Sequence, residues 1–121
     1  MKQIVNFFFE LGMLKKTPRS GFQFLGSGSE SVAEHVFRVA TIGFTMARLD
    51  KQADAFTVVR MCLFHDIPES RTGDMNYVNK HYVDVKEDQV VEDLAKTLPF
   101  GDEIQELLQE FVKGESREAQ L

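Results

Sequence analysis

A lone cysteine, Cys62, leaves no partner for an intramolecular disulfide. It lies in the apolar run VVRMCLF, so a reduced setting, a buried thiol and a cytoplasmic location are expected. No stretch reaches the ~18 apolar residues of a membrane span. The opening MKQIVNFFFELGML carries neither a basic run nor a small-residue cleavage site, so no membrane association is expected. Positive charge is also short, with 14 lysines and arginines against 19 acidic residues and a formal net charge of −5. That balance argues against a broad surface for a nucleic-acid polymer, which needs a basic stripe to neutralise phosphates. A small anionic substrate stays open where a bound cation or a local basic cluster offsets the field. Strand-like alternation is almost missing, and there are no repeats, low-complexity tracts or linkers. At 121 residues and 43% hydrophobic content, the chain suits one domain over 1–121 with a continuous core.

What is present is helical periodicity. Ile4, Phe7, Phe8, Leu11 and Leu14 recur at three- and four-residue spacing and predict an amphipathic first helix. The adjacent Phe7, Phe8 and Phe9 offer a contact surface, although core burial would explain most of it. Residues 15–30, KKTPRSGFQFLGSGSE, read as a long loop with FQFL extended inside it, and loops of that length are more often functional than idle. Ser31 followed by Glu34 fits a capping box, which puts His35 in the first turn of a helix. Its buried face would be Val32, Val36, Val39, Ala40, Gly43, Phe44 and Ala47, and it should run to about Leu49. Asp54 is the next N-cap. It opens a helix over 55–64 that is apolar on nearly all sides, as a central helix would be. The pair His65-Asp66 falls at the C-terminal end of that helix, because Pro68 disfavours a helical Ile67.

Residues 70–82, SRTGDMNYVNKHY, read as a turn-rich connection with His81 in an exposed loop. Val90, Val91, Leu94 and Leu98 mark a helix over about 87–98, stopped by Pro99 and Gly101. Ile104, Leu107, Leu108, Phe111 and Val112 mark another, stopped by Gly114. Ser116 has the character of one more N-cap, yet five residues follow it. A single turn does not overcome the cost of nucleation, so the chain is expected to be cut short there. The fold class is all-α: a bundle of at least five helices, missing C-terminal helices.

Few residues are left to carry chemistry. A lone histidine among apolar neighbours is more often a hydrogen-bonded core residue than a ligand. Two of them, with Asp66 beside His65 after a strongly apolar run, change the balance, because a buried carboxylate needs compensation. A salt bridge from Arg60 or Arg38 would supply it without a metal. A divalent cation shared by His35, His65 and Asp66 would supply it too, since these N and O donors suit a first-row transition metal with open positions for water.

At these residues the sequence resembles the HD-domain metal-dependent phosphohydrolases, whose pattern is a histidine, a His-Asp pair and a distal aspartate. LKKTPRSGF, ESVAEHVFRVA and HDIPESRTGD, in this order and spacing, are similar to the 5'-deoxynucleotidase branch, related to the oxetanocin-A-like HD proteins. The resemblance is specific over residues 14–74 and weaker to 121. It implies an HD-type helical bundle that removes phosphate from (deoxy)nucleoside 5'-monophosphates, with manganese, cobalt, zinc or magnesium as cofactor and a homodimer as assembly. His35, His65 and Asp66 would then be metal ligands. Glu69 would position or deprotonate the attacking water; its plain alternative is a solvated first-turn carboxylate after Pro68. Asp74 would lie near the sugar or the water, or be an ordinary turn aspartate after Gly73. Arg19, with Lys15 and Lys16 close by, would grip the phosphate, or belong to a solvated basic loop. Phe22 stands where relatives carry tryptophan; it keeps an aromatic wall and loses the indole donor.

The distal aspartate of the pattern should follow soon after SREAQL, and the sequence ends at Leu121. Either a C-terminal portion carries it, or the protein has three of the four protein ligands. In the second case the alternatives are a non-catalytic nucleotide or metal binder, or a subunit completed by another chain. A purely structural helical module, with both histidines in the core, is the third reading.

Overall fold

The structure, a computed structural model, describes residues 1–20 and 29–121, and among these it is helical with no strand. Helix α1 (Lys2–Leu11) passes into a 3-10 turn (Gly12–Lys15), so Leu14 lies beyond the α-helix that the spacing predicts. Of the three adjacent phenylalanines only Phe7 enters the core, at 4% exposure; Phe8 and Phe9 are 61% and 77% exposed. Core burial therefore explains one of the three. A helix buries one stripe, and consecutive residues point about 100° apart.

Helix α2 (Val32–Leu49) starts at the expected capping box: the Ser31 hydroxyl accepts from the Glu34 N–H, and the Glu34 carboxylate accepts from the Ser31 N–H. Asp54 caps α3 (Ala55–Phe64) in the same way, accepting from the Phe56 N–H at 3.1 Å. The two helices pack closely at Gly43, where a Cβ would come within 2.6 Å of Cys62 Sγ and 3.1 Å of Val58 Cγ1. Two expectations fail on this pair. Phe44 is half exposed rather than buried, and Cys62 is only partly covered. Helix α3 is not surrounded either: Val58 and Met61 are buried, whereas Phe56 and Leu63 face outward. Its composition reads as central, but part of its apolar surface stays exposed.

The stretch expected to be turns folds into two short helices, α4 (Glu69–Thr72) and α5 (Tyr77–Tyr82). The signal for α5 is Asn76, whose side chain accepts from the Asn79 N–H at 2.8 Å as an N-cap does. His81 is exposed as expected, on a helix instead of a loop. Helix α6 (Glu87–Thr97) ends where Leu98 turns extended ahead of Pro99, and α7 (Gly101–Lys113) ends at Gly114 with φ +67°. The last turn, α8 (Arg117–Gln120), does form behind its Ser116 cap. Tertiary anchors offset the nucleation cost: Arg117 Nε donates to Asp50 Oδ2 at 2.6 Å, and Glu118 accepts from the Asp54 N–H at 3.4 Å. The Ser116 cap thus has a body, contrary to the expectation.

The main core joins Phe7, Ile67, Leu94, Leu98, Ile104 and Leu108, and a second cluster joins Leu14, Val32 and Val36. Ile67 matters most for position. At 2% exposure it is driven into the core immediately after His65-Asp66, so burial pins the turn that carries the pair. The ends of the long loop also close on each other: the Arg19 N–H donates to Glu30 O at 2.8 Å, and the Val32 N–H to Thr17 O at 2.7 Å. FQFL and Phe22 lie outside the described residues.

Helices α6 and α7 meet at Gly101, where a Cβ would fall 2.1 Å from the Ala95 carbonyl oxygen and 2.4 Å from Ala95 Cα. Backbone cannot swing aside as a side-chain tip can. Gly101→Ala should therefore destabilise the protein by roughly 1–3 kcal/mol, read as a lower urea midpoint. Gly12→Ala is the control: that glycine is exposed, has helical φ and nothing within 4 Å of its Cβ position. It should be neutral or stabilising by up to ~1 kcal/mol. Equal midpoints for the two variants would contradict the packing assigned to Gly101.

Candidate metal centre

Three donors reach one point from two helices. The capping box sets His35 one turn into α2. His65 continues the helical backbone of α3, its N–H donating to Met61 O at 2.9 Å. Asp66 follows, and its carbonyl accepts from the Glu69 N–H at 3.0 Å, a tight turn that folds Glu69 back beside the pair. His35 Nε2 lies 3.6 Å from Asp66 Oδ2, and His65 Nε2 lies 3.1 Å from the same oxygen. The two imidazole centroids are 6.1 Å apart, and one donor atom from each of the three residues lies within 4.8 Å of the others.

The chemistry of this set fits a cation. His65 Nδ1 is 2.8 Å from the carbonyl oxygen of Cys62, one of the last carbonyls of α3, which can only accept. Nδ1 therefore carries the proton, and in the neutral ring Nε2 presents a lone pair. That lone pair faces the Asp66 carboxylate, also an acceptor. Something positive must lie between them: a second proton on His65 or a metal ion. Burial works against a charged His65, but the hydrogen bond and charge of Asp66, with the Cys62 carbonyl, prevail and raise its pKa. Burial opposes the ionised Asp66 as well, and His65, His35 and Arg19 together still hold its pKa below the ordinary value. His35 moves the other way, lowered first by burial and then by the Arg19 charge, which keeps its ring neutral and available as a ligand.

The two arginines considered as partners for Asp66 are engaged elsewhere. Arg38 Nη2 lies 3.3 Å from Glu30 Oε2, and Arg60 Nη1 donates to Glu103 Oε1 at 2.8 Å. The third candidate cation, Arg19, is close enough to act on both His35 and Asp66. Its Nε lies 3.8 Å from Glu30 Oε1, buried and without a hydrogen-bond partner among the described residues. Asp74 is not a free turn residue. Its Oδ2 accepts from the Ser20 N–H at 3.0 Å, which ties the Arg19 segment to the end of α4.

Glu69 is the most perturbed acid. Burial, followed by the charges of Asp66, Asp74 and Glu87, pushes its pKa up to about 8. A cavity of about 650 Å³ opens beside His65, Asp66 and Glu69, with Val91, Leu108 and Phe111 in its wall. That is within the range of small-molecule pockets. A larger hollow of about 1040 Å³ along residues 80–92 includes none of the metal donors. Sequence reading missed Glu30, a carboxylate only 9% exposed between Arg19, Arg38 and His35. The signal was its place directly before the Ser31 cap, at the base of the long loop.

The Glu69 environment has a measurable consequence. In metal-free protein its side-chain carboxyl, followed by carbon-13 NMR, should titrate near pH 8, neutral below and charged above. Adding a divalent cation should move the midpoint down, since nearby positive charge favours the carboxylate. Cation affinity should correspondingly rise with pH, because the cation competes with the protons held by Glu69 and His65. A Glu69 midpoint near 4.5 without metal would show that the crowding of carboxylates is absent in solution.

Known proteins carry the same arrangement of helices. The HD domain family matches residues 11–121. The 5'-deoxynucleotidase HDDC2 of Dictyostelium discoideum is 30% identical over an alignment of 133 residues, which covers 100% of this chain and 70% of the relative. A conserved hypothetical protein of Pyrococcus furiosus superposes with a TM-score of 0.81 at 30% identity, over 96% of this chain and 70% of that one. A protein of Magnetospirillum magnetotacticum MS-1, titled a predicted metal-dependent phosphohydrolase, gives 0.78 at 30% identity, over 98% of this chain and 63% of that one. With the His, His-Asp constellation assembled on α2 and α3 and a family match that runs from the end of α1 to Leu121, the chain belongs to the HD domain family.

Proposed function

We propose that the protein is a metal-dependent phosphohydrolase that removes phosphate from (deoxy)nucleoside 5'-monophosphates, with His35, His65 and Asp66 holding a divalent cation. The observation that carries the reading is the convergence of His35 Nε2 and His65 Nε2 on Asp66 Oδ2, with a strongly perturbed Glu69 beside them. The likeness to a 5'-deoxynucleotidase supports the nucleotide as substrate class. A bound divalent cation would supply a more acidic water and a polarised phosphoryl oxygen.

The residues themselves divide the rest of the work. Glu69, whose pKa of about 8 would fall beside a bound cation, would then be ionised at neutral pH and suited to accept the proton of the attacking water. It can return that proton to the leaving 5'-oxygen as the P–O bond breaks, giving a nucleoside and inorganic phosphate. Arg19 offers its guanidinium to the phosphate oxygens. Asp74 holds the Arg19-Ser20 segment through the Ser20 N–H, and the resemblance alone assigns it to the sugar or the attacking water. Phe22 remains a candidate wall for base or sugar, on the resemblance alone. The apolar wall at Val91, Leu108 and Phe111 gives a nucleoside a surface to leave water for.

Elemental analysis together with a phosphate-release screen over deoxynucleoside and ribonucleoside monophosphates tests this directly. His65→Ala should lose both the metal and the turnover, and retention of full metal content would contradict the ligand assignment. Glu69→Gln should lower kcat by roughly 10²–10⁴ with little change in substrate binding. A Glu69→Gln protein with normal turnover would remove Glu69 from the chemistry. Arg19→Ala should raise KM more than it lowers kcat, and Arg19→Lys should recover only part of the loss, since lysine lacks the planar fork. Equal recovery by lysine would reduce Arg19 to a point charge.

A further inference from the structure

Glu30 stands out because its surroundings do not match a surface loop acid. It is the residue before the Ser31 cap of α2, and only 9% of it is exposed. Its two carboxylate oxygens face different tasks. Oε1 lies 3.8 Å from both His35 Nδ1 and Arg19 Nε, and Oε2 lies 3.3 Å from Arg38 Nη2. Its own carbonyl accepts the Arg19 N–H at 2.8 Å, so backbone and side chain hold the same neighbour. The helix N-terminus just beyond it favours negative charge as well. Arg38, at 72% exposure, sits on the solvent side of the group and is the partner that water could best replace.

The oxygen on the inner side is the informative one. A carboxylate near Nδ1 of an imidazole draws the ring proton to that nitrogen and leaves the lone pair on Nε2. On His35 that lone pair faces Asp66 Oδ2 at 3.6 Å, the point where the other two donors meet. Glu30 Oε1 also faces Arg19 Nε, a buried atom that has no hydrogen-bond partner among the described residues. At 3.8 Å neither contact is a hydrogen bond; each is an electrostatic restraint on the direction a side chain takes.

We propose that Glu30 is a positioning residue that joins the two halves of the site, setting the tautomer of His35 for metal ligation and the direction of the Arg19 guanidinium for the substrate phosphate. The Arg19 half rests on the phosphohydrolase reading given above; the His35 half needs only the metal centre. A carboxylate that merely balanced charge would make a different prediction. Neutralising it would free Arg19 from its counter-ion and tighten anion binding, whereas loss of a positioning group weakens it.

Three measurements test the proposal, and the phosphate one separates these two readings. In metal-free protein, at a pH where the ring is neutral, nitrogen-15 NMR should find His35 protonated on Nδ1, and Glu30→Ala should shift it toward protonation on Nε2. Titration of the cation alone should show Glu30→Ala binding it about 10–100-fold more weakly, the usual cost of losing a group that orients a metal-bound histidine. In cation-loaded protein, Glu30→Gln should bind inorganic phosphate about tenfold or more weakly than the unmutated chain, as expected when a charge-assisted contact is lost. Circular dichroism checks that each variant keeps its helices, and Glu30→Gln, which keeps the volume, serves for the nitrogen-15 experiment where Glu30→Ala does not fold. An unmutated protein that takes up the cation but no phosphate would sink the phosphohydrolase reading, and with it the Arg19 half, while the nitrogen-15 result still decides the His35 half. A His35 tautomer indifferent to Glu30, or phosphate binding that tightens in Glu30→Gln, overturns the proposal.

Discussion

A carboxylate at the end of an apolar helix needs a positive partner, and much of the site is organised around supplying one to Asp66. Its position follows from Ile67, whose burial fixes the turn immediately after it, and from the helical geometry that His65 retains at the end of α3. Its partners are imidazoles rather than arginines. An arginine would neutralise Asp66 permanently, because its guanidinium does not release its proton in a protein. Imidazoles titrate, and a neutral imidazole is a ligand. The donor set can therefore exchange a proton for a metal ion, which a salt bridge from Arg38 or Arg60 could not do.

Around that centre the described ends of the long segment over 15–30 form a second set of contacts. Arg19 pairs with Glu30 and Val32 with Thr17, so residues 17–19 and 30–32 meet at the start of α2. Asp74 holds the same strip from the other side through Ser20. The effect is that Arg19, 47 positions before Asp66 in the sequence, enters the electrostatic surroundings of that carboxylate. Packing places the candidate metal donors; the pairing of Thr17 with Val32 and of Arg19 with Glu30 places the guanidinium.

Much of this was legible in the sequence where a local rule coincided with a tertiary one. The Ser31 capping box, the Asp54 cap and the Gly114 stop all specify the backbone by short-range hydrogen bonds, and each is present. His35, His65 and Asp66 come together as expected, because a histidine in a capped first turn and a His-Asp pair at a helix end match a known spacing. The failures have a common cause. Whether Phe44, Phe56 or Phe9 is covered depends on what packs across from it, and no periodicity within one helix contains that information. The turn at Arg117 and the helix after Asn76 were missed differently: composition weighed against helices that a side-chain cap and distant ion pairs sustain. Glu30 was hidden because an acid before a helix is ordinary; only the fold shows that three cationic or titratable groups surround it.

The charge around the site sets a condition on any anionic ligand. Burial, with the charges of Asp66, Asp74 and Glu87 added to it, raises the Glu69 pKa to about 8, so this cluster already resists a fourth negative charge. A phosphate arriving there meets the same resistance, and Arg19 has Glu30 beside it as counter-ion. The protein's net charge of −5 adds to the opposing field. Protonating Glu69 and His65 relieves the crowding but leaves no base for the water and no lone pair for a metal. A divalent cation relieves it by taking up that lone pair and leaves Glu69 ionised, which is the physical reason that an acidic protein with this constellation suits a phosphate ester only in company with a metal ion.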